Sequence, residues 1–242
     1  MTTLQALLAI AAALVLVLLI RYRVWLRIHT RRTSAESHVI QTRLGPVEYD
    51  DRGAGPVVLH FHGGNVGHNG WFLLQPLLDA GFRLLTPDRP GYLGTRLKGH
   101  ESPEAQADLF AALLDSLGIE RVALVAVSAG GPAAIQFAHR FPERVSCLVL
   151  MAAITRKTGL SNDQLNSALG KLVMSRRAQN PAYFLIHRAM HLLPGLTLRD
   201  FARTETTYDP GVAPKILAQV TGDPAQLQQV RQLADAMVAA PP

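Results

Sequence analysis

The chain has 242 residues, 48% hydrophobic and 17% charged, which suits one domain with an ample apolar core and excludes a disordered composition. The formal net charge of +6 resides mostly in Arg21, Arg23, Arg27, Arg31 and Arg32, all ahead of the first acid, Glu36, so no basic stripe interleaved with aromatics remains to suggest nucleic-acid binding. The single cysteine, Cys147, excludes an internal disulfide and a multi-cysteine metal site, and its mostly apolar run predicts a small buried hydrophobe.

Residues 2–20 carry no charged side chain, and residues 4–20 are nearly all apolar. As a helix this stretch reaches across roughly 25–28 Å of hydrocarbon, a short but sufficient span. Tyr22 and Trp25 follow at the depth of a membrane interface. A cleaved signal peptide would place its basic residues before the apolar run, whereas here five arginines follow it. A buried core helix without a polar face would need cover on every side. Residues 1–20 are therefore expected to be a single-pass transmembrane anchor. The arginines hold the following body on the cytoplasmic side, and residues 21–37 read as a basic, polar linker.

Beyond the linker, residues 38–43 and 47–51 read as short strands around a turn at Gly45 and Pro46, and residues 57–61 as an apolar strand ending in His62-Gly63-Gly64. A helix is expected over 71–80, stopped by Gly81, and a strand over 83–86. Residues 103–117 have the spacing of an amphipathic helix stopped by Gly118; 122–127 is a fully apolar strand; 129–141 is a helix ended by Pro142; and 145–152 is another strand. Strands alternating with helices, with continuous rather than alternating apolar runs, predict an α/β fold: a mostly parallel sheet with helices on both faces. After residue 153 the periodicity is helical, with breakers at Gly159, Pro181, Pro194 and Pro210.

Three segments carry chemistry. The first is Ala126-Val127-Ser128-Ala129-Gly130-Gly131, between an apolar strand and a helix. A serine at so tight a strand-to-helix turn has an exposed hydroxyl, and the helix start supplies unpaired amides that can hold an oxyanion. A plain serine N-cap would give the same hexapeptide. The second is His60-Phe61-His62-Gly63-Gly64-Asn65, whose glycines let the backbone approach a substrate. The third is Pro87-Asp88-Arg89-Pro90-Gly91-Tyr92-Leu93-Gly94-Thr95 after the next strand.

In this order and at these intervals the three segments resemble an α/β-hydrolase of the group with a helical cap after the sixth strand. The resemblance implies a hydrolase core over 38–153 and a helical cap region over 154–242. Ser128 and Gly130 fit the family's Gly-x-Ser-x-Gly elbow, with Ala126 in place of the first glycine. By the same resemblance Ser128 is the catalytic nucleophile, the backbone amides of Gly64 and Ala129 form the oxyanion hole, and neither metal nor cofactor takes part. Leu93 and Thr95 depart from the glycine and serine common in the third segment. A serine rather than an aspartate at 128 disfavours the epoxide-hydrolase and haloalkane-dehalogenase branches. The implied activity is hydrolysis of an ester or related small-molecule acyl substrate by a membrane-bound enzyme.

The family's order of triad residues is Ser, then Asp or Glu, then His, and neither partner is identifiable here. Residues 152–155 hold no acid. His139 falls late in the helix after Ser128 and should point away from it. His187 and His191, four apart in a cap helix, could share a face as metal ligands but read as ordinary cap residues, and Asp163, Asp200 and Asp209 have no strand end to hold them. His60 and His62 read as structural. The triad acid and histidine are expected beyond residue 242. The rival expectation is a natural short form, a catalytically inactive binding or interaction protein on a hydrolase scaffold. Leu185, Ile186, Met190 and Leu192 would suit an apolar acyl chain or helix packing equally.

Overall fold

The computed structural model describes residues 2–35, 37–156, 179–205 and 211–239. The first helix, α1, runs over Thr3–Ala35, so the arginine-rich stretch expected as a linker continues the helix instead. Arginine is a good helix former, so the backbone hydrogen bonding continues through this stretch. The portion Gln5–Ile28 is long and apolar enough to cross a membrane, and large side chains from Leu7 to Ile20 stand exposed. Farther along, Tyr22 and Trp25 pack on Phe184, with ring centroids 5.6 and 5.3 Å away.

Six strands form one sheet: β1 His38–Thr42, β2 Gly45–Arg52, β3 Val57–Phe61, β4 Arg83–Pro87, β5 Val122–Val127 and β6 Val145–Met151, in the order β1-β2-β4-β3-β5-β6. β1, β2 and β4 pair antiparallel, while β4, β3, β5 and β6 run parallel. The helices after the sheet begins are α2 Gln75–Asp79, α3 Pro103–Ser116, α4 Gly131–Arg140, α5 Gln179–Leu192, α6 Pro194–Glu205, α7 Ala213–Gly222 and α8 Pro224–Ala239. Two predicted helices differ at their starts. The segment His68–Leu74 winds as a 3₁₀ helix before α2, and Ser128–Gly130 makes a 3₁₀ turn before α4.

Side-chain alternation along the strands fills both faces. Leu59, Phe61, Leu85, Leu124 and Ala126 join Phe110 and Leu114 of α3 and Phe137 of α4 in the main core. Val58, Leu84 and Val125 point the other way and pack with Leu74, Trp71 and Leu77. Phe61 anchors the main core, 5.2 Å from the Phe110 ring and 6.1 Å from that of Phe137. α3 starts cleanly because the Ser102 hydroxyl accepts the Ala105 N–H and Pro103 fits the first turn.

β6 pairs with β5 and, among the described residues, with nothing on its other side. Val149, Leu150 and Met151 are 46%, 41% and 41% exposed. Cys147 is exposed too, not buried as its apolar neighbours suggested, because it sits on this edge strand.

Candidate active site

β5 delivers its last residue, Val127, in extended conformation, and the chain then turns abruptly through Ser128 at φ +47°. Left-handed backbone at a residue with a side chain costs roughly 1–3 kcal/mol, so the surroundings must hold it. Gly130 Cα lies against the end of β3, where a Cβ would come 2.1 Å from the Phe61 carbonyl oxygen. Gly131 is pressed against the chain leaving β6, where a Cβ would come 2.3 Å from the Ile154 carbonyl oxygen. The Ile154 N–H donates to the Ser128 carbonyl at 2.9 Å, itself presented after a second left-handed residue, Ala152 at φ +47°. The result is an exposed Ser128 side chain on a rigid elbow at the carboxyl ends of parallel strands.

The loop after β3 lies alongside. A Cβ on Gly63 would be 3.5 Å from Ser128 Cβ, and one on Gly64 would be 4.0 Å from Ala129 Cβ. The three residues that the sequence singled out, Ser128, Ala129 and Gly64, are thus neighbours in the fold. Sequence reasoning missed what holds them. The Arg89 guanidinium donates to the Ala129 carbonyl at 3.1 Å and to the Gly63 carbonyl at 3.2 Å, bridging the elbow and the glycine loop. The Gly63 carbonyl shares its peptide plane with the Gly64 N–H, so Arg89 fixes the orientation of that amide; the Ala129 N–H shares its plane with the Ser128 carbonyl, which the Ile154 N–H holds. Arg89 is the arginine of the Asp88-Arg89-Pro90-Gly91 segment, so the signal was present but carried no partner.

His62 supports this brace. The Arg89 backbone N–H donates to His62 Nε2 at 2.8 Å, which makes Nε2 the acceptor, and so Nδ1–H donates to the Gly63 carbonyl at 2.8 Å. Burial, with the Arg89 charge adding to it, holds the His62 pKa well below the ordinary range, and the ring stays neutral. The Tyr92 ring meets His62 edge-on at 4.9 Å, and its hydroxyl accepts the N–H of Asn65, itself at φ +62°. Burial lowers the His60 pKa to about 3, and its Nδ1 is 3.5 Å from the Thr86 hydroxyl. Both histidines are fully buried.

A second buried polar group underlies the third segment. Asp88 accepts the His68 backbone N–H at 2.6 Å and the His68 ring Nδ1–H at 2.8 Å. Burial outweighs these bonds and raises the Asp88 pKa to about 6. Glu48, equally buried, accepts the Gly94 N–H at 2.6 Å, and its own backbone N–H donates to the Thr95 hydroxyl at 3.0 Å. Thr95 thus has a structural use at a position where the resemblance had put a serine. Glu48, His68 and Asp88 could also group around a cation, but these bonds already occupy the donor atoms of His68 Nδ1 and both carboxylates.

Among the described residues no side chain hydrogen-bonds the Ser128 hydroxyl. His139 is exposed in the last turn of α4. His187 and His191 instead meet Asp235 of α8, at 2.7 and 2.8 Å. Asp163 and Asp209 lie outside the described residues, and Asp200 belongs to α6. The apolar cap candidates divide: Met190 is buried, Ile186 half-buried, and Leu185 and Leu192 exposed.

The sequence profile described as alpha/beta hydrolase fold matches residues 56–201, more than half of the chain. The chain belongs to the α/β-hydrolase family. An uncharacterized hydrolase of Bacillus subtilis, YcgS, is 34% identical over 155 residues, covering 64% of this chain and 54% of that protein. The 2-hydroxy-6-oxo-6-phenylhexa-2,4-dienoate hydrolase of Comamonas testosteroni is 35% identical over 111 residues, covering 43% of this chain and 39% of that enzyme. The α/β-hydrolase fold protein from Nakamurella multipartita superposes with a TM-score of 0.65 at 29% identity, over 83% of this chain and 68% of that one. The chain thus spans about half the length, or less, of these two curated relatives.

Proposed function

We propose that this α/β-hydrolase is a membrane-anchored serine hydrolase that cleaves an ester or related acyl substrate through an acyl-enzyme on Ser128. The observation that carries the reading is the exposed serine at φ +47°, on a turn held in place by Gly130 against β3, with the Gly63–Gly64 loop beside it. A serine N-cap on an ordinary helix needs no such backbone, because N-cap residues favour the β region.

In this mechanism Ser128 Oγ adds to the acyl carbonyl carbon and the C=O π pair moves onto oxygen. The Ala129 and Gly64 amides hold that oxyanion, aided by the positive end of α4. Collapse expels the alcohol, which takes the serine's proton from the general base. Water then attacks the acyl-enzyme by the same route and releases the acid. The base and its orienting acid come from outside the described residues. The bare, apolar outer edge of β6 supports this, since further chain pairing there would cover Val149 to Met151. Exposed side chains along Gln5–Ile28 support insertion of α1 in a membrane, with the body on the cytoplasmic side.

A second reading follows from the similarity to the 2-hydroxy-6-oxo-6-phenylhexa-2,4-dienoate hydrolase of Comamonas testosteroni: the same serine would act on a carbon–carbon bond next to a carbonyl. A third follows from the Ser128 hydroxyl having no histidine partner among the described residues: a scaffold that binds without hydrolysing. Labelling of the folded protein in its native membrane with a fluorophosphonate separates them. Adduct on Ser128, lost in Ser128→Ala, supports the enzyme; a folded protein that stays unlabelled overturns it. Ester and carbon–carbon substrates are then distinguished by turnover of p-nitrophenyl acyl esters against a vinylogous 1,5-diketone. An alkaline carbonate wash that releases the intact chain from membranes would remove the anchor from the proposal.

A further inference from the structure

His187 and His191 stand one turn apart on the same face of α5, with ring centroids 4.6 Å apart. Both Nε2 atoms converge on one oxygen, Asp235 Oδ1 of α8, at 2.7 and 2.8 Å. The three donor atoms all lie within 4.8 Å of one another. His187 is 8% exposed, and the Trp25 ring of α1 covers it at 5.5 Å. The Asp235 side chain is 45% exposed, which leaves an open approach on its side.

We propose that His187, His191 and Asp235 form a site for one divalent transition-metal ion, with zinc the best match, joining α5 to α8. Two imidazole nitrogens and one carboxylate oxygen suit zinc and its neighbours over magnesium or calcium, which take oxygen ligands. Zinc bonds of about 2.0–2.2 Å in a tetrahedron set donors roughly 3.3–3.4 Å apart. The two separations to Asp235 Oδ1, 2.7 and 2.8 Å, need to open by only about half an ångström, within reach of small side-chain rotations. Three protein ligands leave the fourth position to water. The spacing of His187 and His191 alone reads as two ordinary cap residues; Asp235, 44 residues after His191, is what turns the pair into a ligand set.

The site also has a structural reach. Ala236, the next residue on α8, accepts a hydrogen bond from the Asn69 side chain at 3.1 Å, and Asn69 lies in the 3₁₀ segment that follows the Gly63–Gly64 loop. A metal that pins α8 to α5 therefore pins α8 over the chain leaving the candidate oxyanion loop.

The test uses the full chain in detergent micelles, stripped with a chelator and titrated with Zn²⁺ by calorimetry. One equivalent is expected to bind. Asp235→Asn, which keeps the shape and a hydrogen-bond acceptor, and His191→Ala should each weaken binding on the order of 100-fold at unchanged circular dichroism, while His139→Ala should not. Co²⁺ in place of Zn²⁺ should show the visible bands of a tetrahedral site and quench Trp25 fluorescence, an effect lost in Trp25→Phe. Absence of a stoichiometric Zn²⁺ site in the wild-type chain overturns the proposal. So does Zn²⁺ affinity that survives Asp235→Asn.

Discussion

Gly130 Cα faces the carbonyl oxygen of Phe61 so closely that a single added methyl would stand 2.1 Å from it. The contact joins the turn after β5 to the end of β3, and the neighbour is backbone that cannot swing aside. Gly130→Ala must push the elbow away from the sheet. We expect several kcal/mol of destabilisation, in the upper range for a point substitution, together with loss of serine labelling. Thermal unfolding of the detergent-solubilised variant checks the first, and fluorophosphonate adduct mass the second.

Ser128 itself occupies left-handed backbone that glycine adopts freely. Ser128→Gly should therefore abolish labelling while leaving stability equal to the parent or higher by up to about 1 kcal/mol. Ser128→Ala should abolish labelling without that gain. A chemical-denaturation midpoint lower for the glycine variant than for the alanine variant would show that the turn is not strained.

Arg89 makes two hydrogen bonds that one ammonium group cannot copy, to the Ala129 and Gly63 carbonyls. Arg89→Lys should slow acylation of Ser128 about ten-fold or more, because the Gly64 amide loses its fixed aim. An ester substrate that binds mainly through its acyl chain should show a fall in kcat with little change in KM.

His60 and His62 are buried and neutral, and the His60 pKa is near 3. Below an unfolded-state value of about 6.5 the unfolded chain binds protons that the folded chain refuses. Stability is therefore complete above about pH 6.5 and falls as the pH drops toward 3, by up to about 1.4 kcal/mol per pH unit for each histidine. Denaturant titrations between pH 7.5 and 5 should show this fall, offset below about pH 6 by roughly one proton's worth from Asp88, whose raised pKa lets the folded chain take up a proton there. His60→Leu should reduce the fall by one proton's worth, whatever its effect on absolute stability.

Much of this molecule is determined along the chain. The apolar runs that became β3, β4 and β5, the breakers at Gly81, Gly118 and Pro142, and the small residues around Ser128 act through neighbours a few positions away, so periodicity and turn chemistry register them. The same locality makes the uncharged stretch before Arg21 legible as a single apolar helix, although the arginines after it prolong the helix instead of ending it. What the sequence left open depends on residues far apart. Burial of Cys147 turned on which strand lies at the edge, a property of sheet order and not of its neighbours. The bridge from Arg89 to Ala129 spans 40 residues, and the pairing of His191 with Asp235 spans 44. No pattern within a strand or helix encodes such partners, because hydrogen bonds and ligand sets are fixed only when packing has set the distances. The sequence by itself determined the α/β plan and the serine at its elbow; the tertiary structure decided what braces that elbow and what gathers around Asp235.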